Sequence, residues 1–154
     1  MPSQGHSPGV LVNQVGSWSL PAELLERGIK AVLAAEGTGQ GEVSITFLDD
    51  EGIVDLNLRF FDKDQPTDVI AFALQEKGEP LLGDIYVGYE QARRQASELS
   101  IPLDEELLRL AIHGTLHLLG HHHPEGEERF GSEMFRRQEE LLHRILHPAS
   151  PPSG

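Results

Sequence analysis

Histidines crowd into one short stretch of the chain: His113-Gly114-Thr115-Leu116-His117-Leu118-Leu119-Gly120-His121-His122-His123. Residues four apart on an α-helix share a face, with Cβ atoms roughly 6 Å apart, so the imidazoles of His113 and His117 can reach one metal ion. Gly120 ends the apolar run and suits the left-handed residue that closes a helix and turns the chain back. A third histidine beyond that turn can complete the set, and spacing alone leaves His121, His122 and His123 equally eligible. Three imidazoles on one ion leave a fourth position for water. Coordination lowers that water's pKa from about 15.7 to near 7, which makes a nucleophile available at neutral pH. The chemistry indicated is metal-assisted hydrolysis.

Two absences narrow it. The chain has no cysteine, so a Cys-rich structural zinc site is excluded. Zinc peptidases of the H-E-x-x-H kind place a glutamate base directly after the first histidine, and here that position is Gly114. Proton transfer is therefore left to the metal-activated water, to the substrate or to another side chain. His121, with an unperturbed pKa near neutrality, is a candidate to donate or accept a proton. Asp68 is a candidate to orient a ligand histidine through its second ring nitrogen. Its alternative role is simply to start a strand after Pro66. Zinc is the expected ion, and three imidazoles also suit nickel, copper or iron.

The elements that must position these residues can be read from periodicity. Val10-Leu11-Val12 suits a first strand. Pro21 opens a helix whose stripe is Leu25, Ile29, Val32 and Leu33, ending at Gly37. Val43, Ile45 and Phe47 alternate with Ser44 and Thr46 as in a half-buried strand. Asp49-Asp50-Glu51 starts a second helix, with Ile53, Leu56 and Phe60 expected on its buried face. The apolar run Asp68–Ala73 predicts a central strand, joined through Gly78-Glu79-Pro80 to Gly83–Val87 as an antiparallel hairpin. Three helices follow: Glu90–Leu99, the histidine helix from about Asp104, and a last one over Glu127–Leu146. The last carries Phe130, Met134, Leu141, Leu142 and Ile145 inward. The pattern predicts an α+β fold, a small mixed β-sheet of about four strands packed with about five helices around a central metal-binding helix. Residues 9–146 are expected to form a single metallohydrolase domain, with flexible tails at 1–8 and 147–154.

A length of 154 residues suits one core that buries about 70% of the unfolded surface. No run reaches the roughly 18–20 apolar residues of a membrane span, and the N-terminus lacks a signal-peptide pattern. A cytoplasmic protein is expected. The net charge of −13 disfavours a general nucleic-acid binder. RNA contact would have to come from a local patch, a metal ion or a recruiting partner. The candidate cations are Arg59 with Lys63, Arg93 with Arg94, and Arg136 with Arg137; each pair is otherwise an ordinary solvated helix face.

The histidine segment resembles the H-G-x-L-H-L-x-G-x-x-H signature of the YbeY family, bacterial rRNA maturation factors that are metal-dependent, single-strand-specific endoribonucleases. Leu56-Asn57 with Asp64-Gln65-Pro66-Thr67-Asp68-Val69-Ile70-Ala71-Phe72 resembles that family's L-N…D-x-P-T-D-V-L-S-F segment. Leu82-Gly83-Asp84-Ile85 with Ala92-Arg93-Arg94-Gln95-Ala96 resembles its L-G-D-I…A-x-x-Q-A segment. The resemblance selects His113, His117 and His123 as the zinc ligands, with His121 and His122 in the variable gap. It implies cleavage of single-stranded RNA, 16S rRNA 3′-end maturation and ribosome quality control, with a ribosomal or ribosome-assembly protein as partner. Phe61 departs from the pattern: many members carry arginine there, thought to hold RNA. His122 and Ala71 stand where aspartate and serine are common. Two rival readings are an assembly binding factor with a mainly structural metal and a metallohydrolase acting on a non-RNA substrate.

Overall fold

Strand alternation and helical stripes assemble in the order β1 (Gly9–Gln14), α1 (Ala22–Ala35), β2 (Gly41–Leu48), α2 (Asp50–Phe61), β3 (Val69–Ala73), β4 (Leu81–Gly88), α3 (Tyr89–Leu99), α4 (Leu103–Leu118) and α5 (Glu133–Leu146). They are seen in a computed structural model that describes residues 8–36, 40–120 and 133–148. The four strands form one mixed sheet in the order β1-β2-β4-β3, with β1, β2 and β4 parallel and β3 antiparallel to β4. The fold is α+β, as expected, and the β3–β4 hairpin is present.

One face of the sheet carries the core. Val43, Ile45 and Phe47 of β2 and Ile85 and Val87 of β4 are buried there against Leu25, Ile29, Val32 and Leu33 of α1 and Leu107, Ala111 and Leu118 of α4. Met134, Leu141 and Leu142 of α5 close the same cluster. The Phe130 end of the expected last helix lies outside the described residues. Among the described residues, no helix is long and apolar enough to cross a membrane.

Two expectations need correction. The segment Asp68–Ala73 is an edge strand, not a central one; β2 and β4 hold the interior positions. Its apolar run arises because both of its faces are covered without a second strand neighbour. α4 packs on it from the core side, and Phe72 stands beside the rings of Phe60 and Phe61 on the other, at centroid distances of 5.1 and 6.3 Å. Phe60 is the second correction, being 57% exposed. The first half of α2 packs on the interior strands, where Ile53 fits against Gly88; the inward position of the next turn is taken by Asn57, and Phe60 lies at the margin beside Phe72. Asn57 donates from Nδ2 to the carbonyl of Gln65 at 2.9 Å, tying down the loop that leads to Asp68.

α4 sits at the centre, packed by α1, α3, α5, β3 and β4. Two glycines set how closely it lies on the sheet. A Cβ at Gly114 would stand 2.8 Å from Cγ2 of Ile85, and one at Gly83 would stand 2.5 Å from Cδ1 of Leu118. The stripe Gly114–Leu118 therefore faces the sheet, and the stripe one residue earlier is rotated about 100° away from it.

Candidate metal centre

That rotated stripe carries the chemistry. From Glu106 to Leu118 every residue is buried except Arg109, His113 and His117, which recur at four-residue intervals along one line of the helix. The expected spacing thus becomes a row of polar side chains breaking the buried stretch of the helix. The rings of His113 and His117 lie 5.9 Å apart between centroids and are inclined by 50°. Two imidazoles sharing a tetrahedral zinc ion, with Zn–N near 2.0–2.1 Å, would place their centroids about 5 Å apart. The observed separation is close to that distance, within reach of a shared ion. The helix stops immediately afterwards: Leu119 and Gly120 donate back to the carbonyls of Thr115 and His117, and Gly120 takes φ +96°. His121, His122 and His123 lie outside the described residues. Among the described residues, no group of three His, Cys, Asp or Glu side chains could hold an ion.

A cleft of about 520 Å³ opens beside His113, with Asp68, Leu110, Met134, Phe135 and Gln138 among its lining residues. Asp68 therefore shares a cavity with His113, and its own backbone carbonyl accepts from the amide of Gly88 at 2.9 Å. The partner at Nδ1 of His113 is Gln138, whose Oε1 stands 2.6 Å away. Gln138 is 4% exposed and comes from α5. Its Nε2 donates to Oε2 of Glu139 at 2.9 Å. Glu139 in turn accepts from Nε of Arg109 at 2.9 Å. Arg109 also donates to Glu106 at 2.7 Å and to Glu105 at 3.2 Å. Gln95 of α3 completes the chain by donating to Glu106 at 2.8 Å. Burial pulls the Arg109 guanidinium down, but its hydrogen bonds to Glu139 and Glu106 outweigh it and hold the pKa above its ordinary value. The cation is permanent.

Gln138, Glu139 and Arg109 were not singled out from the sequence. A signal for the first was present: Gln138 interrupts the buried stripe of Met134, Leu141 and Leu142 on α5. A polar side chain in such a stripe must find a partner inside the fold. Its partner is on another helix, 25 positions away in sequence.

The expected cations are mostly committed elsewhere. Arg59 pairs with Asp55, Arg94 makes a two-pronged pair with Asp50 at 2.9 Å, and Arg137 pairs with Glu36 and Glu140. Arg93 lies over the ring of Tyr89 at 6.0 Å. Phe61 is 49% exposed and stacks on Phe72, so the segment entering β3 offers aromatic surface rather than charge. Tyr86 stands edge-on to Phe72; burial first, and then the Asp84 carboxylate, raise its pKa. Asp84 accordingly lies on the open face of an interior strand.

Residues 13–146 match the family model described as Endoribonuclease YbeY. The chain is 46% identical over 131 residues to the Endoribonuclease YbeY of Pelotomaculum thermopropionicum, covering 79% of this chain and 84% of that protein. It is 36% identical over 141 residues to the Endoribonuclease YbeY of Persephonella marina, covering 88% and 92%. A Thermotoga maritima protein known from its solution structure superposes with a TM-score of 0.63 at 28% identity, over 88% of each chain.

Proposed function

Because the chain belongs to the endoribonuclease YbeY family, we propose that it is a zinc-dependent hydrolase of single-stranded RNA whose ion is held by His113, His117 and His123. The observation that carries this reading is the polar line Arg109–His113–His117, which alone breaks the buried stretch Glu106–Leu118 among the described residues. When bound, zinc supplies Lewis acidity toward a phosphate oxygen and makes water acidic enough to attack at neutral pH. The chain's own residues orient the ligands, shape the cleft and keep its floor polar. His113 is held from α5, and the apolar wall of Leu110 and Met134 limits water on one side. His121 and Asp68 remain the candidates for moving a proton.

The surface supports a preference for single strands. A duplex presents mainly phosphates, and the arginines of α2 and α3 are occupied: Arg59 and Arg94 by carboxylates, Arg93 by the Tyr89 ring. Unpaired bases can stack on exposed aromatic rings, and Phe60 and Phe61 provide two beside Phe72. Action on the 16S rRNA 3′ end, in ribosome quality control and in the cytoplasm, is part of the same proposal. With a net charge of −13, the enzyme needs a ribosomal or ribosome-assembly protein to bring it to so anionic a substrate.

The same acidity favours a second reading, an assembly factor whose metal is structural. The two separate on chelation. A catalytic ion leaves the circular dichroism spectrum intact and abolishes cleavage of a labelled single strand, while the matching duplex is resistant throughout. A structural ion takes the fold with it. Loss of helical signal on chelation, or equal cutting of strand and duplex, would count against the proposal.

A further inference from the structure

A buried primary amide has one accepting end and one donating end, and its orientation decides which is offered to a neighbour. Gln138 has both ends engaged. Its Nε2 faces the Glu139 carboxylate at 2.9 Å, and a carboxylate only accepts. That partner selects the NH2 end and leaves Oε1 toward Nδ1 of His113 at 2.6 Å. Oε1 can only accept, so Nδ1 must carry the proton, and in the neutral ring the lone pair then lies on Nε2. Glu139 is itself fixed by two hydrogen bonds from Arg109, at 2.9 and 3.2 Å. Arg109 is anchored along its own helix by Glu105 and Glu106, and Glu106 is 3% exposed.

We propose that Gln138 is a positioning residue that holds His113 in its Nδ1–H tautomer with Nε2 ready to ligate, and that the Arg109–Glu139 pair fixes the direction of the Gln138 amide. Solvated neutral imidazole favours the opposite tautomer, so an unsupported His113 must change tautomer before it can bind a metal through Nε2. The hydrogen bond removes that step and fixes the ring plane. It also makes His113 a better donor, because the proton at Nδ1 is partly shared with the amide oxygen. Partners of this kind typically change metal affinity by 10–100-fold when removed.

The inference rests on the metal reading for its purpose, but the tautomer belongs to the chain without metal and is measured there. Long-range ¹H–¹⁵N correlation on labelled, metal-free protein, above the imidazole pKa, reports which nitrogen of His113 carries the proton. The parent is expected to show Nδ1–H. Gln138→Glu keeps an accepting oxygen and should keep that tautomer. Gln138→Met should lose it and bind zinc about 10–100-fold more weakly in a competition titration. Glu139→Leu should free the amide to turn and give a mixed tautomer. Nε2–H in a parent that binds zinc would overturn the proposal, as would unchanged tautomer and zinc affinity in a folded Gln138→Met. If Gln138→Met does not fold, the parent and Gln138→Glu spectra decide. A parent that shows Nδ1–H and binds no zinc would instead overturn the metal reading.

Discussion

Gly114 stands where a zinc peptidase would carry its general base, and its surroundings explain why no such base is possible here. The position faces Ile85 across a contact too close even for a Cβ. A glutamate there would be driven into the sheet and away from the cleft. Gly114→Ala should therefore cost stability, about 1–3 kcal/mol in urea unfolding, as overpacked core sites generally do. An unchanged midpoint would mean that α4 does not lie this close to β4. Arg109 is the second residue whose removal should be felt. Arg109→Met leaves Glu106 buried beside carboxylates without its cation, and breaking such a pair costs roughly 3–5 kcal/mol. The loss should be recovered in part by Glu106→Gln in the same chain. At this scale the His113–His117 pair was legible because helix geometry alone brings the two together. Gln138 was not, because its partner depends on how α5 docks against α4, which no local pattern records.

α2 and α3 are joined by the Asp50–Arg94 pair, and its pH dependence has a definite sign. The hydrogen bond from Arg94 is the main cause that holds Asp50 below its ordinary value of 3.8. A lowered carboxylate contributes stability that is fully present above the ordinary value and is lost as pH falls through the lower folded one. The stability difference between the parent and Arg94→Ala should shrink on acidification below that value. It should be about 1 kcal/mol or less at neutral pH, since both side chains are largely solvated. A difference that grew in acid would contradict the pairing. The exposed rings at the end of α2 carry another prediction. Phe61→Ala should weaken binding of a single-stranded oligonucleotide by about 1–3 kcal/mol if a base stacks there, with little change in salt dependence. Phe61→Arg should steepen the salt dependence by about one counterion, read by fluorescence anisotropy across a salt series. Element types and order were legible from alternation and helical stripes. The position of β3 was not. An apolar run reports only that both faces are covered; helix and aromatic cover on an edge strand gives the same pattern as a second neighbour. Phe60 was misplaced for a related reason, since helical periodicity names a face without saying how much of its length the sheet will reach.

Across the whole molecule, a strongly acidic surface surrounds a site read as acting on a polyanion. Most of the arginines in the described residues are neutralised by carboxylates, a charge balance that supports the proposed delivery by a protein partner. On the proposed function, one ion held by histidines on and just beyond α4 cuts RNA. Cleavage of a labelled single-stranded RNA by the parent and by His117→Ala, purified in parallel, chelated and then given zinc, tests it most directly. The account predicts that zinc restores cutting to the chelated parent and that His117→Ala stays inactive at every zinc concentration while keeping the parent's circular dichroism spectrum. Equal cleavage by the two proteins, or none by a parent shown to contain zinc, would contradict it.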